Sequence, residues 1–250
     1  MKLALLSDIH ANILAFDACL SHARSQGAMQ FAILGDLVGY GADPVAVVNR
    51  AQELVAAGAL LIKGNHDEMA VVPPDIVKTL GQSTAAWTHA QLNAEQLHFL
   101  DNLPLTVQKN AVFLVHASAD SPELWRYVYD SRAARASLAA AADLPEVRYV
   151  FAGHVHLQSL YYRGVMGGLL KFLPTPGVAI PVPRHRHWLA TVGSVGQPRD
   201  GNPQAMYALL DTEQSQLTFH RVAYDHHAAA AAIRKAGLPP FLAGRLVHGR

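Results

Sequence analysis

Along the first part of the chain, short apolar runs alternate with segments of helical periodicity. Leu3 to Leu6 is an apolar run of strand length. Asn12 follows at a capping position, ahead of Ile13, Phe16 and Leu20 at helical spacing. Phe31 to Leu34 reads as a second strand. Asp43 and Pro44 then open a helix, with a capping carboxylate and a proline in its first position, and Gly58 closes it. Ala59 to Ile62 is a third strand. This order predicts βαβ units and a largely parallel sheet.

The stretch from Pro73 to about Pro104 predicts helices anchored by Trp87, Leu92 and Leu97. Ala111 to Val115 and Arg148 to Ala152 are the fourth and fifth strands, with an alanine-rich helix over 131–142 between them. The pattern then changes. Leu169 to Leu173, Trp188 to Val192, Ala205 to Leu210 and Gln216 to Val222 read as strands linked by turns, in the manner of an antiparallel sheet. From Tyr224 the tail reads as helical, broken at Gly237-Leu238-Pro239-Pro240. No repeat or long linker divides the chain. The expectation is a single domain over 1–250 with two sheets and a helical tail over 224–250.

Composition narrows the class. Half of the 250 residues are apolar and the formal net charge is +1, so the chain is globular and carries no field suited to nucleic acid or a membrane surface. The single cysteine, Cys19, excludes an internal disulfide, fits a reducing compartment, and is expected to be buried and inert. The apolar start stops at Asp8 and His10 without a cleavage pattern, and no run reaches membrane-spanning length. The expected location is cytoplasmic.

The 14 histidines are many for this length. Most, among them His185, His187, His226 and His227, have no partner in the pattern and read as surface or core. The rest fall beside other polar residues just past predicted strands: Asp8 and His10 after the first, Asp36 after the second, Gly64-Asn65-His66-Asp67 after the third, His116 at the end of the fourth, and Gly153-His154-Val155-His156 after the fifth. Ligands of open α/β sheets bind at those strand ends, so these residues are expected to converge on one crevice. The pairs Asp8/His10 and His154/His156 are each two apart and would share one side of an extended segment. Carboxylates, an amide and imidazoles without a thiolate suit Mn, Fe, Ni, Co or Zn in a site that is not sulfur-rich. Glycines at 35, 64 and 153 let the backbone turn sharply beside it.

These five blocks, in this order, resemble the calcineurin-like metallophosphoesterase superfamily. Leu34 to Gly41 and Gly193-Ser194-Val195-Gly196-Gln197-Pro198-Arg199-Asp200-Gly201 further resemble its small bacterial phosphodiesterase-like members. The resemblance implies a two-sheet α/β/β/α sandwich. It implies two divalent transition-metal ions, Mn first, with Fe, Ni, Co or Zn as alternatives. One would be held by Asp8, His10 and His156, the other by Asn65, His116 and His154, with Asp36 between them. It implies water attack on a small phosphate ester or nucleotide, with His66 as the acid for the leaving group and Asp67 orienting it. Arg199 is a candidate for the phosphate and Tyr40 for stacking on the substrate. The chain departs from its relatives at Ala117, where glycine usually follows the histidine, and at Thr191-Val192, where Asn-Pro is usual. Both bear on pocket shape rather than on the ligands.

Three other readings compete. A protein phosphatase would carry an arginine soon after the Gly-Asp block, and Leu37-Val38-Gly39-Tyr40 has none. A non-catalytic scaffold would have lost ligands, which are all present. A nuclease would need a basic stripe, which is lacking. The expected partner is therefore a small phosphate ester, without nucleic acid or membrane. The apolar faces of the tail have either the domain or a second subunit to pack on, which leaves a homo-oligomer open.

Overall fold

The computed structural model describes residues 1–164 and 168–250. Its elements run β1 (Lys2–Leu6), α1 (Ile13–Ser25), β2 (Gln30–Ile33), α2 (Pro44–Ala56), β3 (Leu60–Leu61), α3 (Asn65–Val71), α4 (Ala85–Gln91), α5 (Ala94–Asp101), β4 (Thr106–Lys109), β5 (Val112–Val115), α6 (Ser131–Ala142) and β6 (Tyr149–Ala152). They continue as β7 (Gln158–Arg163), β8 (Leu169–Phe172), β9 (Ala179–Pro181), β10 (Trp188–Val192), β11 (Ala205–Asp211), β12 (Gln216–Val222), α7 (His226–Lys235) and α8 (Pro240–His248).

The strands form two mixed sheets, ordered β3-β2-β1-β11-β12-β9 and β4-β5-β6-β10-β7-β8. The period-two alternation of each strand explains how they stack. In β1, Leu3 and Leu5 join Leu114, Phe151 and Ala190 in the core between the sheets. Ala4 and Leu6 point the other way and pack on Phe16 and Leu20 of α1 and Val47 of α2. In β6, Tyr149 and Phe151 face the first sheet, while Val150 and Ala152 meet Ala134 and Leu138 of α6. Strands apolar on both faces thus produce the α/β/β/α sandwich.

Three details differ from expectation. The later strands do not form one antiparallel sheet. β11 and β12 extend the first sheet antiparallel to β1, whereas β10 enters the second, parallel to β6 and antiparallel to β7. Strands β4, β7 and β9 had no expected counterpart. β4 is short and half polar, β9 is a three-residue strand whose apolar stretch is broken by Pro181, and only Tyr161 and Tyr162 hinted at β7. Asp43 makes no side-chain capping bond, although Pro44 does begin α2. Asn12 does cap α1: its Oδ1 accepts from the Ala15 amide at 3.1 Å. Cys19 is buried beneath α1, and its thiol is pushed up by that burial.

The tail packs on the domain. Ala230, Ile233, Leu242 and Leu246 cover Tyr40 and Trp87. The end of α8 is tied down where the Gly201 amide donates to the Gly249 carbonyl at 2.8 Å. Among the described residues, no helix is long and apolar enough to cross a membrane. Because Leu242 is fully buried in this contact, Leu242→Ala is expected to cost about 2–5 kcal/mol. Urea unfolding should show one transition with a lowered midpoint; a separate early transition would mean that the tail folds independently of the sheets.

Candidate metal centre

Both sheets deliver residues to one place. Asp8, Asp36 and Asn65 follow β1, β2 and β3 of the first sheet, and His116, His154 and His156 follow β5 and β6 of the second. Asp8, Asp36, His10, His116, His154 and His156 are all buried. Three overlapping groups of possible ligand atoms emerge: Asp8/His10/His156, Asp36/His116/His154, and His10/Asp36/His66, the last sharing two of its residues with the other two. In the first, His156 Nε2 lies 3.2 Å from Asp8 Oδ1 and 3.1 Å from His10 Nε2. In the second, His116 Nε2 lies 3.2 Å from His154 Nδ1, 3.2 Å from Asn65 Oδ1 and 3.3 Å from Asp36 Oδ2. The same Asp36 oxygen is 3.8 Å from His10 Nε2, so it faces both groups.

The tautomers follow from the outer contacts. The Nδ1–H groups of His10, His116 and His156 donate to the carbonyls of Val38 (3.2 Å), Leu34 (2.6 Å) and Gln197 (2.6 Å). That turns each Nε2 inward, where a neutral imidazole presents a lone pair. His10 and His156 then point two lone pairs at each other across 3.1 Å beside a carboxylate. Such an arrangement is repulsive by itself and suits a cation. The donor set of imidazoles, carboxylates and one amide oxygen fits a pair of divalent metal ions.

The backbone takes an unusual path to achieve this. Asp8, His10, Asp36, His154 and His156 have φ of 54°, 49°, 53°, 66° and 57°. The segments are therefore not extended, as their spacing suggested; left-handed turns bring the side chains inward instead. Each such residue costs about 1–2 kcal/mol, and clusters of this strain mark functional sites. Glycine gives the loops room. A Cβ on Gly153 would meet the Ser7 hydroxyl and Asp8 Oδ2, and one on Gly64 would meet the Asp36 backbone.

Charge sorts the titrations. Burial opposes ionisation of Asp8 and Asp36, but the His156 and His116 imidazoles outweigh it and hold both carboxyls below their usual range. Burial, reinforced by neighbouring imidazoles, lowers His10 well below its usual value, His154 to about 3 and His66 to about 4, despite the pull of Asp36. His116 goes the other way. Burial lowers it, yet Asp36 and Asp8 raise it to about 9.

His66 and Asp67 lie together but not in contact as expected. The His66 amide donates to Asp36 Oδ1 at 2.8 Å, and its ring stands between Tyr40 (4.4 Å) and His10 (4.9 Å). Asp67 does not orient that ring. Its Oδ1 accepts from the Leu37 and Val38 amides at 2.8 and 3.2 Å, and its Oδ2 from the Gly64 amide at 2.9 Å. Its carboxylate is committed to backbone and clamps the Asp36 loop to the start of α3. The expected contact with the His66 ring is thus absent, and the bonds that Asp67 does make brace the loop.

An open cleft of about 460 Å³ adjoins the cluster, lined by Asn65, His66, His154, Tyr40, Arg199 and others. Tyr40 is buried, packed against His10 (4.7 Å) and under Arg199 (5.8 Å), so it forms a wall rather than a free stacking surface. Sequence reasoning missed Trp125, Tyr127 and Arg245, which also line the cleft. Tyr127 stacks on the His154 ring at 4.0 Å. Gln197, inside the quoted glycine-rich motif but given no role there, holds His156 through its carbonyl.

With His116 raised to about 9, the metal-free site carries a proton at neutral pH that a metal ion must displace. Metal uptake near pH 7 should release about one proton per chain, and affinity should rise with pH until about 9. Calorimetry in buffers of different ionisation enthalpy measures this; uptake without proton release would contradict the His116 assignment. In the metal-free protein the same raised value stabilises the fold below about 6.5, a contribution lost as pH rises through about 9.

Residues 1–215 match the family model described as the calcineurin-like phosphoesterase superfamily domain. An uncharacterised protein from Methanocaldococcus jannaschii is 33% identical over 254 residues, covering 99% of this chain and 98% of its own length. The crystal structure of a metallophosphoesterase from Sphaerobacter thermophilus superposes with a TM-score of 0.87 at 33% identity, over 100% of this chain and 99% of that one. A hypothetical protein from Pyrococcus horikoshii OT3 shares the fold, with a TM-score of 0.79 at 20% identity over 100% and 98% of the two chains. With that coverage and with buried aspartate and histidine groups at the shared edge of two sheets, the chain belongs to the calcineurin-like phosphoesterase superfamily.

Proposed function

We propose that the chain is a dinuclear metal-dependent phosphodiesterase acting on small phosphate esters or nucleotides. The observation that carries this reading is the position of Asp36 Oδ2, which faces His116 at 3.3 Å and His10 at 3.8 Å. One carboxylate oxygen shared by two imidazole groups is the geometry of a bridging ligand. Asp8, His10 and His156 would hold one ion, Asn65, His116 and His154 the other, with Asp36 between them. When bound, such a pair neutralises a phosphoanion and lowers the pKa of a water for in-line attack.

The residues of the chain supply the remainder. Carbonyls of Val38, Leu34 and Gln197 fix the ligand imidazoles, so little reorganisation is needed when charge develops. His66 opens on the cleft, and the other two ligand groups would hold both ions without it, which leaves it to protonate the departing oxygen. Without substrate it is neutral at pH 7, because its value is lowered to about 4. A bound phosphoanion beside it would oppose that shift and favour the protonated form that an acid requires. Trp125 and Tyr127 offer flat rings along the cleft that suit a nucleobase.

Metal-stripped protein should hydrolyse bis-p-nitrophenyl phosphate only after Mn²⁺, Ni²⁺, Co²⁺ or Zn²⁺ is restored. Failure with all four, despite bound metal, would favour a narrow monoester or protein substrate, or a scaffold. Asp36→Asn should lower both activity and the bound-metal content from ~2 ions per chain. His66→Ala should reduce turnover by about 10²–10⁴ on esters with poor leaving groups and by less on p-nitrophenyl esters. An equal loss on both would remove His66 from the acid role.

A further inference from the structure

Two arginines from distant parts of the chain line the same cleft: Arg199, in the loop after β10, and Arg245, on α8 of the tail. They converge on one acceptor. Arg199 Nη2 and Nε donate to Gln197 Oε1 at 3.0 and 3.3 Å, and Arg245 Nη1 donates to the same oxygen at 3.3 Å. Among the described residues, the ion pairs of arginine and lysine side chains run through Arg50, Lys63, Arg126 and Arg221 and leave these two out. Burial first, and the neighbouring Arg199 guanidinium second, lower the pKa of Arg245. Two cations held together on a neutral amide beside a cleft are an anion site in waiting.

The position distinguishes this pair from the reacting centre. Tyr40 stands between: its ring is 4.7 Å from that of His10, and Arg199 lies 5.8 Å over it. The arginines are thus one aromatic ring removed from the aspartate and histidine cluster, whose metal ions, when bound, would neutralise the phosphoryl group under attack. The pair is also rigidly placed. Leu242 and Leu246 of α8 are buried against the domain, and the helix end is tied by the bond from the Gly201 amide to the Gly249 carbonyl. Gln197 links the two regions, since its carbonyl holds His156 while its side chain holds both guanidiniums.

We propose that Arg199 and Arg245 form a subsite for a second phosphate of the substrate, so that the site favours molecules with a phosphate chain, such as nucleoside diphosphates, over those with a single phosphate. The inference rests on the phosphoesterase reading of the adjoining cluster, and its test uses binding rather than turnover so that the two can fail separately. Metal-loaded protein is titrated calorimetrically with AMP and with α,β-methylene ADP, which share a base and differ by one phosphate group. The wild type should bind the diphosphate analogue at least ~10-fold more tightly. In Arg245→Ala the preference should fall to ~2-fold or less, and Arg245→Lys should be intermediate, because an ammonium restores charge without the planar fork. Arg199→Lys is the second probe should Arg245→Ala not fold. Equal binding of the two nucleotides by the wild type, or an undiminished preference in the Arg245 and Arg199 variants, overturns the subsite whatever the hydrolysis assay gives. A preserved, Arg245-dependent preference upholds it even where bis-p-nitrophenyl phosphate is not cleaved.

Discussion

Asp8 is the point at which the two sheets are fastened together. Its amide donates to the Gly35 carbonyl at the end of β2, in the first sheet. Its carbonyl accepts from the Gly196 amide at 2.9 Å and the Ser194 hydroxyl at 2.8 Å, both from the loop after β10 in the second. Its carboxylate accepts from the His154 amide at 2.9 Å and faces His156. A buried ionised carboxylate is costly unless it is hydrogen-bonded and paired. Here the groups that satisfy it come from the loop after β6, in the sheet opposite the one that carries Asp8. Satisfying Asp8 therefore requires the sheets to be in register, and the ligand cluster and the sheet interface become one construction.

The same logic accounts for the strain nearby. Five ligand residues occupy the left-handed region, a combined cost that the local turns could not sustain alone. The bracing comes from groups with no part in metal chemistry. Asp67 accepts three backbone amides and holds the Leu37–Val38 turn to the start of α3. Asn12 caps α1 and also donates to the Gly196 carbonyl at 3.0 Å, joining the first helix to the loop after β10. A site assembled from so many loop ends is pre-formed, which is what electrostatic catalysis requires of its dipoles.

How much of this could be read from the chain depends on distance along it. The strand ends carrying Asp8, Asp36, Asn65, His116, His154 and His156 were legible because each polar group interrupts an apolar run, and periodicity locates such runs well. Two sheets were legible from the change of pattern after the fifth strand, whereas the α/β/β/α layering came from the family resemblance. The sheet order was not legible: β10 pairs in parallel with β6 and antiparallel with β7, and nothing local encodes which neighbours a buried strand takes. Asp67 was misread because a carboxylate next to a histidine in sequence suggests a pair, whereas the helical start at Asn65 turns the two side chains apart. Arg245 carried no signal. It is one basic residue in a short amphipathic helix, and only the docking of α8 gives it a neighbour 46 positions away in Arg199.

That docking gives the tail more than a packing role. Tyr40 belongs to the apolar cluster beneath α7 and α8, yet its ring also supports His10, His66 and Arg199. It holds a φ of 61°, so the turn that presents it is strained and depends on what covers it. The tail covers it, and the tail brings Arg245 to the cleft at the same time. The side of the cleft beside the histidine cluster and the side that carries the arginines thus share one support, and the apolar contact that stabilises α8 also places Arg245 at the cleft. Variation in this C-terminal segment would therefore reshape the cleft while leaving the aspartate and histidine cluster at the sheet edges unchanged.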